Sequence, residues 1–184
     1  MQPTMEQTAG PSLVRLSRAD DLEPLFAAMD TAEVRAAFHL PAGFSRSDAW
    51  ASLCSLAGLW ELRGLGQWAL EEQATGRFVG RAGLYWRFED DWPGVEVGWM
   101  LDPAAWGSGY ATEAGARAAQ HGFEMLGEQT LYSVILPGNA RSQAVARRLG
   151  FEPGIERTMS FFPARPHVVW ELPRARWQAA ISAS

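Results

Sequence analysis

Between Val95 and Ala114 the chain reads Val-Glu-Val-Gly-Trp-Met-Leu-Asp-Pro-Ala-Ala-Trp-Gly-Ser-Gly-Tyr-Ala-Thr-Glu-Ala. An apolar strand pattern thus runs into two glycines flanking Ser108 and then into an Ala-rich helical stretch. Gly107 and Gly109 let a backbone approach a ligand closely, and a helix opening there points free amides and its positive dipole end outward, an arrangement that suits a phosphate. A glycine-rich helix start with no ligand has the same composition, so the spacing alone leaves both readings open. Glu96 is the second feature, because a carboxylate in an otherwise apolar strand is costly unless it is paired or functional. Asn139 and Ser142 open a later helix, where Asn139 has the chemistry of an N-cap. His39, His121 and His167 are scattered without metal-ligand spacing, so no metal is expected. Cys54 falls on an apolar helical stripe and is read as core.

These residues need a scaffold. The first eleven residues are polar and punctuated by Gly and Pro, as in a flexible tail. Leu13 to Leu16 alternates as a strand does, and Ser17 with Asp20 starts a helix carrying Leu22, Leu25, Phe26 and Met29 on one face. From Phe44-Ser45 a second helix is expected, capped by Ser45 or Ser47, with Trp50, Leu53, Cys54, Ala57 and Trp60 on one stripe and a stop at Gly64-Leu65-Gly66. Gln67 to Glu72, Phe78 to Arg87 and Val95 to Leu101 read as an antiparallel meander, its second turn the acidic Glu89-Asp90-Asp91 run. That run is most simply a solvated turn, and otherwise an attractor for a cationic substrate. A helix from Gly109 to about Leu126, a strand from Thr130 to Leu136, a helix ending at Gly150 and a hairpin around Gly154 to Phe162 and His167 to Leu172 complete the chain. The order β-α-α-β-β-β-α-β-α-β-β is that of an α/β fold, a mixed central sheet flanked by helices. Val95 to Leu136 is its one parallel crossover, so a ligand site is expected beyond the strand's C-terminal end.

Composition narrows the chemistry further. The chain has 184 residues, 47% hydrophobic and 20% charged, a size that fits one domain. Its net charge is −5, and all 16 basic residues are Arg. The absence of Lys from the sequence excludes Schiff-base catalysis and a Walker-type phosphate loop. An acidic balance with no basic run argues against nucleic acid as a partner. One Cys cannot form an internal disulfide, the N-terminus lacks signal-peptide character and no apolar run is long enough to cross a membrane, so a cytoplasmic protein with no membrane partner is expected.

The run from Gly98 through Ala114 resembles the acyl-CoA pyrophosphate loop of the GCN5-related N-acetyltransferases (GNAT family), with greatest likeness to the RimJ/RimL-type branch that acetylates ribosomal-protein N-termini. The second signature of that branch follows at its usual spacing, from Asn139-Ala140-Arg141-Ser142 through Leu149-Gly150-Phe151. The resemblance covers essentially Leu13 to Leu172 and implies a single N-acetyltransferase domain over residues 12–176, between an N-terminal tail (1–11) and a C-terminal tail (177–184). It implies acetyl-CoA as co-substrate, with amides of Trp106, Gly107, Ser108, Gly109, Tyr110, Ala111 and Thr112 on the pyrophosphate. Met100 and Leu101 would pair with the pantetheine arm and Asn139 would bond it, with Ser142 near the sulfur and a backbone amide near Leu101 on the thioester oxygen. Glu96 would be the general base. The family's acid tyrosine after the second motif has no counterpart, which leaves Ser142 as thiolate partner. The usual Gln or Arg three residues before the first loop glycine is Ala104, and Ser108 stands where a basic residue is common. The implied acceptor is a primary amine, first of all a protein or peptide α-amino group; a small-molecule amine acetyltransferase and a non-catalytic acyl-CoA sensor are the other readings. The protein is expected to be a monomer or homodimer.

Overall fold

The computed structural model describes residues 7–8 and 12–182. Its elements are β1 (Gln7–Thr8), β2 (Ser12–Arg15), a 3₁₀ turn (Ala19–Asp21), α1 (Leu22–Met29), α2 (Ala32–Phe38), α3 (Arg46–Arg63), β3 (Gln67–Glu72), β4 (Phe78–Tyr85), β5 (Glu96–Leu101), a second 3₁₀ turn (Pro103–Ala105), α4 (Tyr110–Gln120) continuing as a π-helical turn (His121–Met125), β6 (Thr130–Ile135), α5 (Ala140–Arg148), β7 (Glu152–Met159), β8 (Phe162–Pro173) and α6 (Arg174–Ser182). The fold is mixed α/β, with strand order β1-β2-β3-β4-β5-β6-β8-β7. The strands pair antiparallel from β1 to β4 and from β6 to β7, and β5 pairs parallel with β6 at Glu96 and Tyr132. The crossover expected from sequence is therefore present.

By its internal contacts the chain divides into two compact units. One comprises the chain up to Gly83 with Trp99–Ala114, the other Leu84–Gly98 with everything from Gly115 onward. In the first unit, Leu25, Ala28 and Met29 of α1, Val34 of α2, Leu53 of α3 and Met100 of β5 form a core against which Phe44, Phe78 and Trp106 pack. A buried ion network centres on Arg15, which donates two hydrogen bonds to the Asp21 carboxylate (2.8 and 2.6 Å) and one to Glu71 (2.6 Å). Gly80 lets β4 lie close to β5, since a Cβ there would stand 2.3 Å from the Met100 carbonyl. In the second unit, Phe123, Leu131, Trp170 and Leu172 are fully buried. The Trp177 ring of α6 packs on Phe123 with centroids 4.9 Å apart.

Several sequence expectations change. Gln7–Thr8 of the expected tail forms a strand on β2, and the rest of that tail lies outside the described residues. The first helical stretch is followed by a separate helix, α2, because Thr31 takes an N-cap conformation and accepts from Val34 N–H. On α3 the buried residues are Ala49, Leu53 and Leu56; of the expected stripe Leu53 is buried and Trp60 packs on Trp68, whereas Trp50, Cys54 and Ala57 are exposed. Trp50 is 43% exposed, and Cys54 lies on the surface and not in the core. Residues 177–182 of the expected C-terminal tail belong to α6.

Candidate active site

The glycine turn is built as its sequence predicts. Asp102 ends β5 by donating its N–H to the Val79 carbonyl (3.0 Å), and its side chain accepts from Ala104 N–H (2.9 Å) to start the 3₁₀ turn. The Trp106 indole N–H then donates to the Leu101 carbonyl (3.2 Å), which ties the turn back to the strand end. Gly107 and Gly109 have φ of 84° and 85°, a conformation that disfavours any side chain, and a Cβ on either would meet nothing within 4 Å. Open space therefore adjoins the backbone at both glycines. Trp106 N–H is spent on Pro103 and Thr112 N–H on Gly109, so the amides left to an anion are those between them. That shortens the cradle implied by the resemblance from Trp106–Thr112 to the residues from Gly107 to Ala111. α4 is anchored at its first residue: Tyr110 is buried, and its hydroxyl donates to Glu72 Oε1 (2.9 Å). Hydroxyls of Thr75 and Tyr110 hold the Glu72 carboxylate below its ordinary value.

Glu96 is the first residue of β5 and is half-buried, keeping an accessible edge while lying deep among protein atoms. Its Oε1 accepts from Val134 N–H on β6 (3.3 Å), a contact the parallel register delivers directly. Burial pushes its pKa up to about 7, while the Val134 amide and the Arg87 charge pull the other way. Asn139 takes its N-cap role: its Oδ1 accepts from Ser142 N–H (3.1 Å), leaving the Asn139 amide nitrogen and the Ser142 hydroxyl at the open first turn of α5. The structure thus joins Glu96 to Val134 and Asn139 to Ser142 in the second unit, and Met100, Leu101 and the loop in the first.

Three features escape the sequence reading. Glu72 serves as the anchor for Tyr110. Asp91 does not belong to a solvated acidic turn: its Oδ2 accepts from Ser160 N–H (2.6 Å) and its carbonyl from Arg157 (2.9 Å). Arg87 lies between the rings of Phe161, Tyr85 and Trp92, with its guanidinium carbon 3.1, 4.7 and 5.2 Å from their centroids. The signal for Arg87 is its place in Tyr85-Trp86-Arg87-Phe88, an isolated cation within an aromatic run. Among the described residues no group of three or more His, Cys, Asp or Glu could hold a metal, and no helix is long and apolar enough to cross a membrane.

A strand that ends in a glycine turn opening a helix, within a mixed sheet, places the molecule among α/β proteins whose helix N-termini are suited to a phosphate group. The chain belongs to the GNAT acetyltransferase family: the model of the acetyltransferase (GNAT) domain matches residues 12–152. It is 25% identical to the uncharacterized N-acetyltransferase YoaA of Bacillus subtilis over 157 residues, 84% of this chain and 88% of that protein. It is 32% identical to the uncharacterized protein YkkB of the same organism over 87 residues, 47% of this chain and about half (51%) of that protein's length. Its fold is that of an acetyltransferase from Agrobacterium tumefaciens, with TM-score 0.79, 24% identity and coverage of 91% of this chain and 94% of that one. GNAT acetyltransferases take acetyl-CoA as co-substrate and an amine as acceptor.

Proposed function

We propose that this protein transfers an acetyl group from acetyl-CoA to the α-amino group of a protein or peptide, with Glu96 as the general base. The observation that supports this most is a partly accessible strand carboxyl raised to about 7. A base acts best when its pKa lies near the working pH, and an α-amine, with a pKa of about 8, yields its proton to such a group far more readily than a lysine-type amine of about 10.4. Likeness of the glycine loop to the RimJ/RimL branch favours a polypeptide acceptor over a free small-molecule amine.

Acetyl-CoA supplies the thioester and the thiol leaving group when bound. The amides from Gly107 to Ala111, at the positive end of α4, hold the diphosphate without a side-chain cation. Met100 and Leu101 offer main chain to the amide-bearing arm, and the Asn139 amide nitrogen, free of the cap, donates to it. Glu96 takes the proton of the amine as its nitrogen forms the new bond to the acetyl carbon and the carbon–sulfur bond breaks, and the Ser142 hydroxyl donates a hydrogen bond to the departing thiolate, which is protonated from solvent. The working unit is a single domain over residues 12–176, a monomer or homodimer acting in the cytoplasm.

A panel of peptides with free N-termini, lysine side chains and small amines, read by thiol release and by a product heavier by about 42 mass units, tests the proposal. Free-N-terminus peptides are expected to react fastest. Acetyl-CoA binding with no thiol release for any amine would overturn the enzymatic reading, and turnover confined to small amines would overturn the choice of acceptor.

A further inference from the structure

Backbone amides hold an anion well only if something keeps them in place, and a stretch with two glycines does not do so by itself. Upstream, the loop is tied by Trp106, whose indole N–H donates to the Leu101 carbonyl and whose backbone N–H donates to the Pro103 carbonyl. Downstream the tie is Tyr110, the first residue of α4, only 4% exposed, whose hydroxyl reaches Glu72 Oε1 at 2.9 Å. Glu72 is the last residue of β3, and its own position is fixed several times over. Its N–H donates to the Arg77 carbonyl (2.9 Å), and its carbonyl accepts from Thr75 and Gly76 N–H (3.3 and 2.8 Å), which closes the β3–β4 turn. Its second carboxylate oxygen accepts from the Thr75 hydroxyl (2.7 Å). Arg77 spans from the Glu72 carboxylate (3.9 Å) to Asp102 (3.6 Å), just beyond β5. Turn, strand end and helix start thus share one polar network, although Glu72 and Tyr110 are 38 residues apart.

We propose that Glu72 is a positioning residue for the diphosphate: by fixing the Tyr110 hydroxyl it sets where α4 begins, and with it the direction of the amides from Gly107 to Ala111. The inference rests on acetyl-CoA occupying this loop, as in the function proposed above. An ionised carboxylate bonded to a loop residue opposes an anion through its charge, so its net effect depends on what it holds in place. Tyr110 is the pivot, because its backbone belongs to the loop while its side chain is buried. Thr112 and Glu113 N–H both donate to the Gly109 carbonyl (3.0 Å each), so a shift at Tyr110 passes directly to the second glycine. A hydrogen bond to a charged acceptor is strong enough to order one such segment. Without it, binding has to order the loop as well as occupy it, and affinity falls.

Calorimetric titration of the full-length protein with acetyl-CoA tests the inference, alongside amide exchange at Thr112 and Glu113 followed by NMR in the unliganded protein. Glu72→Ala and Tyr110→Phe are each expected to weaken acetyl-CoA about tenfold and to speed exchange at both amides by a similar factor, with the amides of α3 unchanged. The double variant should lose no more than either single one, since both remove the same bond. Glu72→Gln keeps an oxygen for the Tyr110 hydroxyl and should restore affinity to within about threefold of wild type. Unchanged acetyl-CoA affinity in both single variants, or Glu72→Gln as weak as Glu72→Ala, overturns the inference. Tighter binding in Glu72→Ala also overturns it, by marking the carboxylate as a repulsive charge and nothing more. Gly109→Val separates this inference from the reading it rests on. If Gly109→Val weakens acetyl-CoA while Glu72→Ala and Tyr110→Phe do not, the anchor has no part in binding. If none of the three weakens it while exchange at Thr112 and Glu113 speeds up, the cofactor lies elsewhere and both readings fall.

Discussion

Substituting Glu96 by Gln offers a quantitative test, because the burial of this carboxyl can be read in stability as well as in rate. The group titrates at about 7 in the fold against a reference of 4.5. A carboxyl raised in the folded state binds its proton more tightly there than in the unfolded chain. Its contribution is therefore complete below pH 4.5, is lost progressively as pH rises through 7, and is absent above. The difference of about 2.5 pH units corresponds to ~3 kcal/mol at ~1.36 kcal/mol per unit. A glutamine at this position keeps the shape and can still accept from Val134 N–H, but it does not ionise. Costs independent of pH, such as any change in packing, cancel when the variant is compared with wild type at two pH values, and the interactions of the ionised carboxylate are already contained in the net shift. Urea unfolding at about pH 4 and about pH 8.5 should show the variant gaining ~3 kcal/mol on wild type between them. The same substitution should remove the acidic limb of kcat/KM near pH 7. Parallel loss of stability in both proteins across that range would refute the argument that the carboxyl is buried and raised.

Three further outcomes follow from the geometry. Gly109→Val strains a residue at φ 85° and fills open space beside the loop amides, so acetyl-CoA affinity by calorimetry should fall at least about tenfold with only ~1–2 kcal/mol lost from the fold. Unaltered affinity would place the cofactor elsewhere. Ser108→Arg, at an exposed position between the two glycines, should tighten acetyl-CoA about threefold and steepen its salt dependence, and an effect that salt leaves unchanged would contradict an electrostatic origin. Asp21→Asn leaves buried Arg15 with Glu71 alone and should cost ~3 kcal/mol in chemical denaturation, while a cost under about 1 kcal/mol would show the Asp21 charge to be dispensable.

The parts of this fold that are legible in the sequence are those decided locally. Gln67–Glu72 is a strand with the expected bounds, Ser45 caps α3 through a reciprocal bond with Asp48, and Gly150 closes α5 with φ 87°. Each depends on residues within one turn of each other. The face of α3 is read in part: Leu53 is buried and Trp60 packs on buried Trp68, but exposed Trp50 draws the expected stripe off the face that Ala49 and Leu56 complete. In the candidate site, the glycine turn and Glu96 are visible because a positive φ is costly for any residue but glycine and a carboxylate in an apolar strand is costly unless compensated. The bond from Ser160 to Asp91 is not. Asp91 and Ser160 are 69 residues apart, and only strand pairing from β5 through β8 to β7 brings their turns together.

The absence of lysine gains a structural meaning through Arg77. This residue lies beside the end of β5, close to where a phosphate-binding cation would be useful, yet it faces Glu72 at 3.9 Å and Asp102 at 3.6 Å. Both carboxylates are already committed, Glu72 to the Tyr110 hydroxyl and Asp102 to the start of the 3₁₀ turn. One cation shared by two anions has no surplus charge for a diphosphate. The loop is thus left with fixed dipoles: amides aligned by two positive-φ glycines and a helix held in place from its first residue. Fixed dipoles depend on geometry more than on charge, so under the proposed function the anchored Tyr110 and the positive-φ backbone of Gly107 and Gly109 would stand in for the mobile basic side chain.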